Sequence, residues 1–497
     1  DLIWWHQIED TNLFLVLHPR EGIVMDLQDK IKDRLTYGRP QITDIYFETA
    51  ERTWVATEDG IFIITLKKNR FKKLLFNKSK KYSTRGIVAD RSGTLYVNSY
   101  LGRTNIYPYK DTVIYRDEEI RRYRLSAFRD RYGNLWFGGE QESIECYNPS
   151  KQERHYYVYS DTSEIRSSQW SIIRDKKDRV WIGTGSGLYY LEPEKNLYRK
   201  FDHYNNFTQL GESTIYHLHE DEKGIWIATA SGMYLLEHDK GITRRYAIEE
   251  NPPFHIPYNY ILHFHRDASG IFWLATKGGG LIRFNPQDGS SRQFTTADGL
   301  SNNTISAVYE DDYGKLWMPS NYGLMQFDKE TYRVNTYLKG DGITHEEFNI
   351  ASHYRADDGL MYFGGLSGVT VFNPADFNEE NPVSAPLHIT HCQVLNGKTG
   401  ALSDKTAAVT TSASLALSPS DKSFVVDFAL LNYENSKQNS YAYMIERLDK
   451  EWTTIGANSL RINALPYGSY VLRIRGKSIK GQSSANQLAI VILVNKP

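Results

Sequence analysis

Two cysteines, Cys146 and Cys392, are all that the 497 residues contain. They lie far apart and make neither a CxxC pair nor a Cys/His metal spacing, which excludes a disulfide scaffold and a zinc module. They read as isolated thiols, and no metal site or cofactor is expected. No window approaches 18 consecutive apolar residues, and the mean hydropathy is -0.53, so no transmembrane helix lies within the sequence. An excess of either charge is also missing: 59 Lys and Arg face 60 Asp and Glu, for a net charge of -1. Without a basic surplus, nucleic-acid binding is not expected. HExxH, a Gly-x-Ser-x-Gly elbow and a Cys/His nucleophile pairing are absent. Gly397-Lys-Thr fails as a phosphate loop, because Cys392 stands where its first glycine belongs. The opening Asp1-Leu-Ile-Trp-Trp carries no Met or signal peptide and reads as the start of a mature or trimmed chain.

What is abundant is aromatic: 35 Tyr, 21 Phe and 10 Trp, beside 36 Gly. Such a mixture favours many short strands joined by tight turns, an all-β composition. One motif recurs: an apolar strand, an Asp-x-x-Gly turn, a strand bearing an aromatic, a small Gly turn and a third strand. Its anchoring aromatics are Phe14, Trp54, Tyr96, Trp136, Trp181, Trp226, Trp273, Trp317 and Tyr362, spaced 40 to 47 residues apart. That period is one four-stranded blade of a β-propeller. The segments alternate with period two, as in Leu188-Tyr-Tyr-Leu, and lack the 3.6-residue pattern of a helical repeat. In this reading the turn Asp caps backbone N–H groups and the Trp fills the wedge between blades, so neither is a catalytic or sugar-binding group by default.

Nine copies fit one ring of eight or nine blades, or seven blades preceded by two from another ring. The single ring is favoured here, because a two-blade stub exposes sheet edges. The repeats span 1–377, a polar Pro-containing linker covers 378–386, and about seven short strands in 387–497 suit an immunoglobulin-like β-sandwich.

The residues also carry a resemblance. Asp311-Asp-Tyr-Gly-Lys-Leu-Trp and Gly299-Leu-Ser-Asn-Asn-Thr-Ile resemble the regulator-propeller repeats of Bacteroidetes two-component sensors. Glu347-Phe-Asn and Tyr362-Phe-Gly-Gly-Leu-Ser-Gly-Val-Thr-Val-Phe-Asn-Pro resemble that family's terminal blade. Asn432-Tyr, Tyr441-Ala-Tyr, Leu448-Asp-Lys-Glu-Trp and Leu465-Pro-Tyr-Gly-Ser-Tyr are similar to the "Y_Y_Y" module that follows it, with Arg447 where a Gly is usual. The resemblance implies a periplasmic, membrane-tethered ectodomain of a sensor histidine kinase that regulates transcription, with an oligosaccharide ligand. It also implies a homodimer, for which the C-terminal sandwich is the expected contact, and a membrane segment close after the last strand. The family usually has about fourteen repeats in two propellers, which raises the seven-plus-two alternative.

Meander geometry puts the turn between strands two and three on the same face as the blade-to-blade connections, opposite the Asp-x-x-Gly turns. The connections are long and rich in Arg, Asn, His and aromatic groups, which suit a sugar: rings stack on C–H faces while amides and charges pair with hydroxyls. The candidate ligand residues are Arg166, Trp170, Tyr204, Asn206, His255, Tyr258, Lys277, Asn302, Asn321, Tyr322, His345 and Asn349. No catalytic residue is assigned. The alternatives are a propeller lyase or glycosidase acting on polysaccharide, and a non-enzymatic assembly platform.

Overall fold

The computed structural model describes residues 4–496 except 8–12, 19–20, 27–30, 37–41, 50–51, 66–68, 77–80, 101, 108–114, 117–122, 141–142, 159–166, 196, 378–384, 433–438, 464 and 479–482. The chain divides into two compact units, residues 1–69 and 70–497. Arg166 and most of the expected linker 378–386 fall outside the described residues.

The first unit holds a four-stranded sheet within 4–36 and a three-stranded sheet within 42–65. Leu15, Leu17, Ile42, Val55 and Ile64 form its core. Its second sheet lacks the Asp-x-x-Gly turn, and a different carboxylate does the same task. Glu48, six residues ahead of Trp54, accepts a 2.7 Å hydrogen bond from the indole.

Up to residue 377 the second unit forms a propeller of seven four-stranded sheets, six of them simple meanders. Blades 1 to 6 lie within 84–116, 124–158, 169–200, 215–246, 261–294 and 309–337. Blade 7 takes three strands from 348–372 and its outermost strand, Lys72–Leu74, from ahead of blade 1. Lys72, Lys73 and Leu74 pair antiparallel with Val371, Thr370 and Val369. The same seam is fastened at the inner strands. Thr84 Oγ1 donates to the Gly368 carbonyl, and Ser352 Oγ donates to that of Arg85. The sheets of this unit therefore close as a ring of seven, the alternative to the single ring of eight or nine favoured from the repeat count. Closure at seven is set by a strand that carries no copy of the motif.

Within the blades the recurring Asp works as a clasp. Asp175 is fully buried; its Oδ1 accepts the N–H groups of Lys177 and Arg179, and its Oδ2 accepts the Trp181 indole at 2.7 Å. Asp130, Asp221, Asp267 and Asp311 hold Trp136, Trp226, Trp273 and Trp317 in the same way. These hydrogen bonds favour the charged carboxylate, and against the cost of burial they hold Asp130 and Asp267 below the ordinary value. Gly133 closes its turn at φ 90°, while in blade 3 Asp178 takes that position at φ 64°. Each clasped Trp lies in a wedge between blades: Trp181 packs with Leu210, Ile215 and Leu218 of the next repeat, and Trp226 with Phe272 and Phe284.

Beyond Leu387 the chain forms two facing sheets, one of four strands and one of five, over a core that includes Cys392, Phe424, Phe428, Tyr441, Tyr470 and Ile490. Nine strands stand where about seven were expected, because short segments such as Leu402–Asp404 and Thr453–Ile455 extend the edges. A short helix, Thr406–Ser412, was not foreseen. Arg447, the departure noted at a usual Gly, has φ 76°, the left-handed backbone that explains why Gly is the usual residue. Both cysteines are free and buried. Burial pushes the Cys146 thiol up to about 12 and Cys392 to about 11, so both are poor nucleophiles.

Candidate functional site

The inner strands of blades 1 to 4, 6 and 7 line an axial channel of about 480 Å³. Every inner strand descends from the face of the blade connections to the face of the Asp turns, so the channel has two unlike ends. At the Asp-turn end charge is matched by charge. Arg129 makes a two-pronged contact with Asp357, at 2.6 and 2.7 Å, and thereby ties blade 2 to blade 7. Arg174 reaches Asp130 at 3.1 Å, and Arg355 reaches Asp312 at 2.6 Å. Glu220 accepts from His238 Nε2 at 2.8 Å, because His238 Nδ1 accepts from the Arg179 guanidinium. These side chains are engaged with each other.

At the other end the lining is aromatic. Six of the inner strands slip register at this end: between Thr84 and Ile87, Arg124 and Ser126, Gln169 and Ser171, Ile215 and His217, Ile261 and His263, and Phe348 and His353. A bulge re-aims the extra side chain. In blades 3 and 4 the extra residues are Trp170 and Tyr216, which both line the channel. Their ring centroids are 5.6 Å apart, and Tyr216 lies 5.5 Å from Tyr260 of blade 5. The two tyrosine hydroxyls meet at 2.6 Å. Burial, then this shared hydrogen bond, raises the pKa of Tyr216 far above its ordinary value, so the hydroxyl stays neutral. Lys277 extends the arc, its Nζ 5.0 Å from the Tyr260 ring.

Deeper in the channel sit three imidazoles. His217 and His263 have ring centroids 4.0 Å apart, and His263 and His353 are 4.7 Å apart. The Val308 N–H donates to His263 Nδ1, which leaves the ring proton on Nε2, and Tyr309 shares a 2.7 Å hydrogen bond with His353 Nδ1. Burial lowers all three, His353 to about 4 and the others well below the ordinary imidazole value, so they are neutral at pH 7. Neutral imidazoles and tyrosine hydroxyls can donate and accept, which suits an uncharged hydroxyl-bearing guest. Among the described residues no group of three or more His, Cys, Asp and Glu could hold a metal ion.

The residues singled out from sequence separate into three groups. Trp170 is at the mouth. Tyr258, Lys277, Asn302 and Asn321 form one stretch of rim over blades 5 and 6. There Tyr258 Oη donates to the Lys277 carbonyl, Lys277 bridges to Thr304, and Asn302 Oδ1 and the Asn321 N–H both contact Thr304 backbone atoms. Tyr322 N–H donates to Ser320 Oγ beside them. His345 and Asn349 lie on the next connection. His345 Nδ1 accepts the Glu347 N–H, while the Asn349 amide donates to Ser83 Oγ and the Thr84 carbonyl at the ring seam. The remainder lie away from the mouth. Tyr204 packs its ring against Phe201 and Gly211. Asn206, exposed, follows Asn205, which donates to the Lys240 and Ile242 carbonyls of blade 4's outer strand. His255 Nδ1 is bonded to the Ile248 carbonyl on its own loop.

Sequence reading missed Tyr216, Tyr260 and the imidazoles. One signal was present: His217 and His263 each stand four residues ahead of their turn Asp, in successive repeats.

The comparisons with known proteins bear on this geometry. Residues 432–494 match the Y_Y_Y domain, and residues 299–318 match the two component regulator propeller. This is the domain order of a two-component sensor ectodomain. A stretch of 183 residues is 28% identical to histidine kinase P4 of Formosa agariphila, covering 36% of this chain and 13% of that protein. The chain therefore matches only a small part of that curated relative. The extracellular domain of a hybrid two component system from B. thetaiotaomicron has the same fold, with a TM-score of 0.70 at 23% identity over 99% of this chain and 68% of that one. A second such domain from that organism gives 0.50 at 15% identity, over 99% and 74%. Among the described residues no helix is long and apolar enough to cross a membrane.

Proposed function

We propose that this chain is the extracytoplasmic ligand-sensing part of a membrane-tethered two-component histidine kinase of the periplasm. The propeller mouth holds an oligosaccharide, and the C-terminal sandwich transmits the change to a membrane segment. The observation that carries the reading is the inequality of the channel's two ends. One is latched by ion pairs between blades, and the other presents Trp170, Tyr216 and Tyr260 beside neutral hydrogen-bonding groups. Flat rings next to donors and acceptors are what a pyranose requires, since it has apolar C–H faces and a polar edge. The reading assigns no catalytic residue: Glu220 and Asp357, the carboxylates of the channel lining, are engaged with His238 and Arg129. Transmission through a homodimer is supported by the sandwich's five-stranded sheet, whose outward face exposes Val491 and Leu493.

Calorimetric titration with a panel of oligosaccharides tests the site. Binding by the native chain and at least about 10-fold weaker binding by Trp170→Ala are expected, from the loss of a stacking ring. Turnover of a panel member, with no saturable binding at the mouth, would establish the enzyme alternative instead.

A further inference from the structure

Among the described residues, the mouth carries two cations with no carboxylate in ion-pair contact. Arg85 lies at the bulged start of the inner strand Thr84–Ala89 in blade 1, where Arg85 and Gly86 together oppose Asn98. Its guanidinium donates to Ser83 Oγ and the Thr84 carbonyl, both at 3.0 Å, and lies 5.2 Å from the Tyr100 ring. Lys277, on the turn that follows Phe272–Thr276 in blade 5, rests on Tyr260 in the same manner. Among the described residues neither cation has a carboxylate within 4 Å, whereas the arginines at the opposite end of the channel are paired. Glu140, the acidic group that acts on Arg85, is exposed and beyond that distance. Blades 1 and 5 stand on opposite sides of a seven-sheet ring, so the two cations flank the mouth, with Trp170 and Tyr216 on the blades between them.

A half-buried guanidinium without a counter-ion gives up solvation against neutral partners alone, and burial lowers its pKa accordingly. A ring face behind each cation steadies it while leaving its N–H groups directed elsewhere. An anion at the mouth supplies what is missing, and a carboxylate or sulfate matches the planar fork of Arg85.

We propose that the mouth is built for an acidic oligosaccharide, a uronate-bearing or sulfate-bearing chain whose anionic groups bind at Arg85 and Lys277 while its sugar rings lie on Trp170 and Tyr216. This rests on the reading of the mouth as a sugar site and narrows it to one charge class.

The test titrates the full chain with three sets of tetrasaccharides, neutral, uronic-acid-containing and sulfated, at low and high salt. Only acidic sets are expected to bind, and their affinity should drop about 10-fold or more as the Debye length shrinks from about 10 Å to about 3 Å. Arg85→Met and Lys277→Met should each weaken acidic binding about 10-fold without moving the melting temperature, and Lys277→Arg should restore most of it. The relative strength of the uronate and sulfate sets tells which anion is read. Neutral tetrasaccharides that bind with no response to salt or to either substitution would overturn the acidic assignment and leave the sugar site standing. Failure of all three sets to bind would remove the sugar site itself, and the charge assignment with it.

Discussion

Phe71→Ala is expected to cost the seven-blade unit about 3–5 kcal/mol, the usual range for emptying a fully packed phenyl site. Phe71 is 3% exposed and immediately precedes Lys72–Leu74, the strand that completes blade 7. Its ring packs edge-on against Tyr337 and Phe372, 5.5 and 5.4 Å away, and against Phe377 at 5.1 Å. The side chain therefore does more than fill space. It anchors a three-residue strand whose pairing with Val369, Thr370 and Val371 is what joins the start of the unit to its end. So short a strand cannot hold its register by backbone hydrogen bonds alone. For a propeller of this size the loss corresponds to a fall in melting temperature of roughly 5–8 °C. Thermal unfolding followed by circular dichroism measures it, with Lys73→Ala, whose side chain is exposed, as a control expected to change it little. Equal effects at both positions would show that strand pairing, and not the Phe71 anchor, closes the ring.

The second large effect is on acidification. His263 is buried and His217 and His353 are half-buried beside it, all three held neutral, with His219 and His265 also lowered on neighbouring positions of the same strands. The groups facing them are each other, Tyr309 and Phe264, none of which offers a negative charge. An unfolded chain takes up protons on these rings as pH falls through about 6.5. The folded chain resists until about 4 at His353, and lower still at His217 and His263. Between those limits the unfolded state binds more protons, so stability is complete above pH 6.5 and declines as pH falls towards 4. For His353 alone the loss amounts to about 3 kcal/mol. Carboxylates act later: Asp130 and Asp267 are lowered and Asp328 is held at about 2, so their contribution fades only below the ordinary carboxylate range. Melting temperature recorded from pH 7.5 to 5.5 should therefore fall ahead of the ordinary carboxylate range, and His353→Gln should flatten that slope. A profile flat over this interval, identical in the variant, would mean that the imidazoles are solvated in the native state.

The blade motif was legible because its physics is local. An Asp six residues ahead of a Trp closes a turn and clasps the indole within one hairpin, so Asp130 and Trp136, or Asp311 and Trp317, announce themselves in a single window. Blade number was not legible, because closure joins Lys73 to Thr370 across nearly three hundred residues, through a segment with no motif of its own. Glu48 shows a milder form of the same difficulty, with the clasp kept and the residue type changed. At the mouth, Trp170 and Lys277 could be placed from their connections, whereas Tyr216 lies in Ile215-Tyr-His-Leu-His-Glu, which reads as an ordinary alternating strand. Only the bulge at that strand turns Tyr216 towards the axis, and a bulge is a matter of register between two strands. Asn349 and Tyr204 have residue types that suit a sugar, but the Ser83 hydroxyl and the Thr84 carbonyl at the seam engage one and Phe201 packs against the other.

A crystal structure of the chain with a bound oligosaccharide from the titration panel would examine the assignment of the mouth most directly. The account predicts sugar density on the Trp170–Tyr216–Tyr260 arc, entering the channel from the end opposite the Asp-x-x-Gly turns. Density confined to the Asp-turn end, or to the C-terminal sandwich with the arc bare, would contradict it.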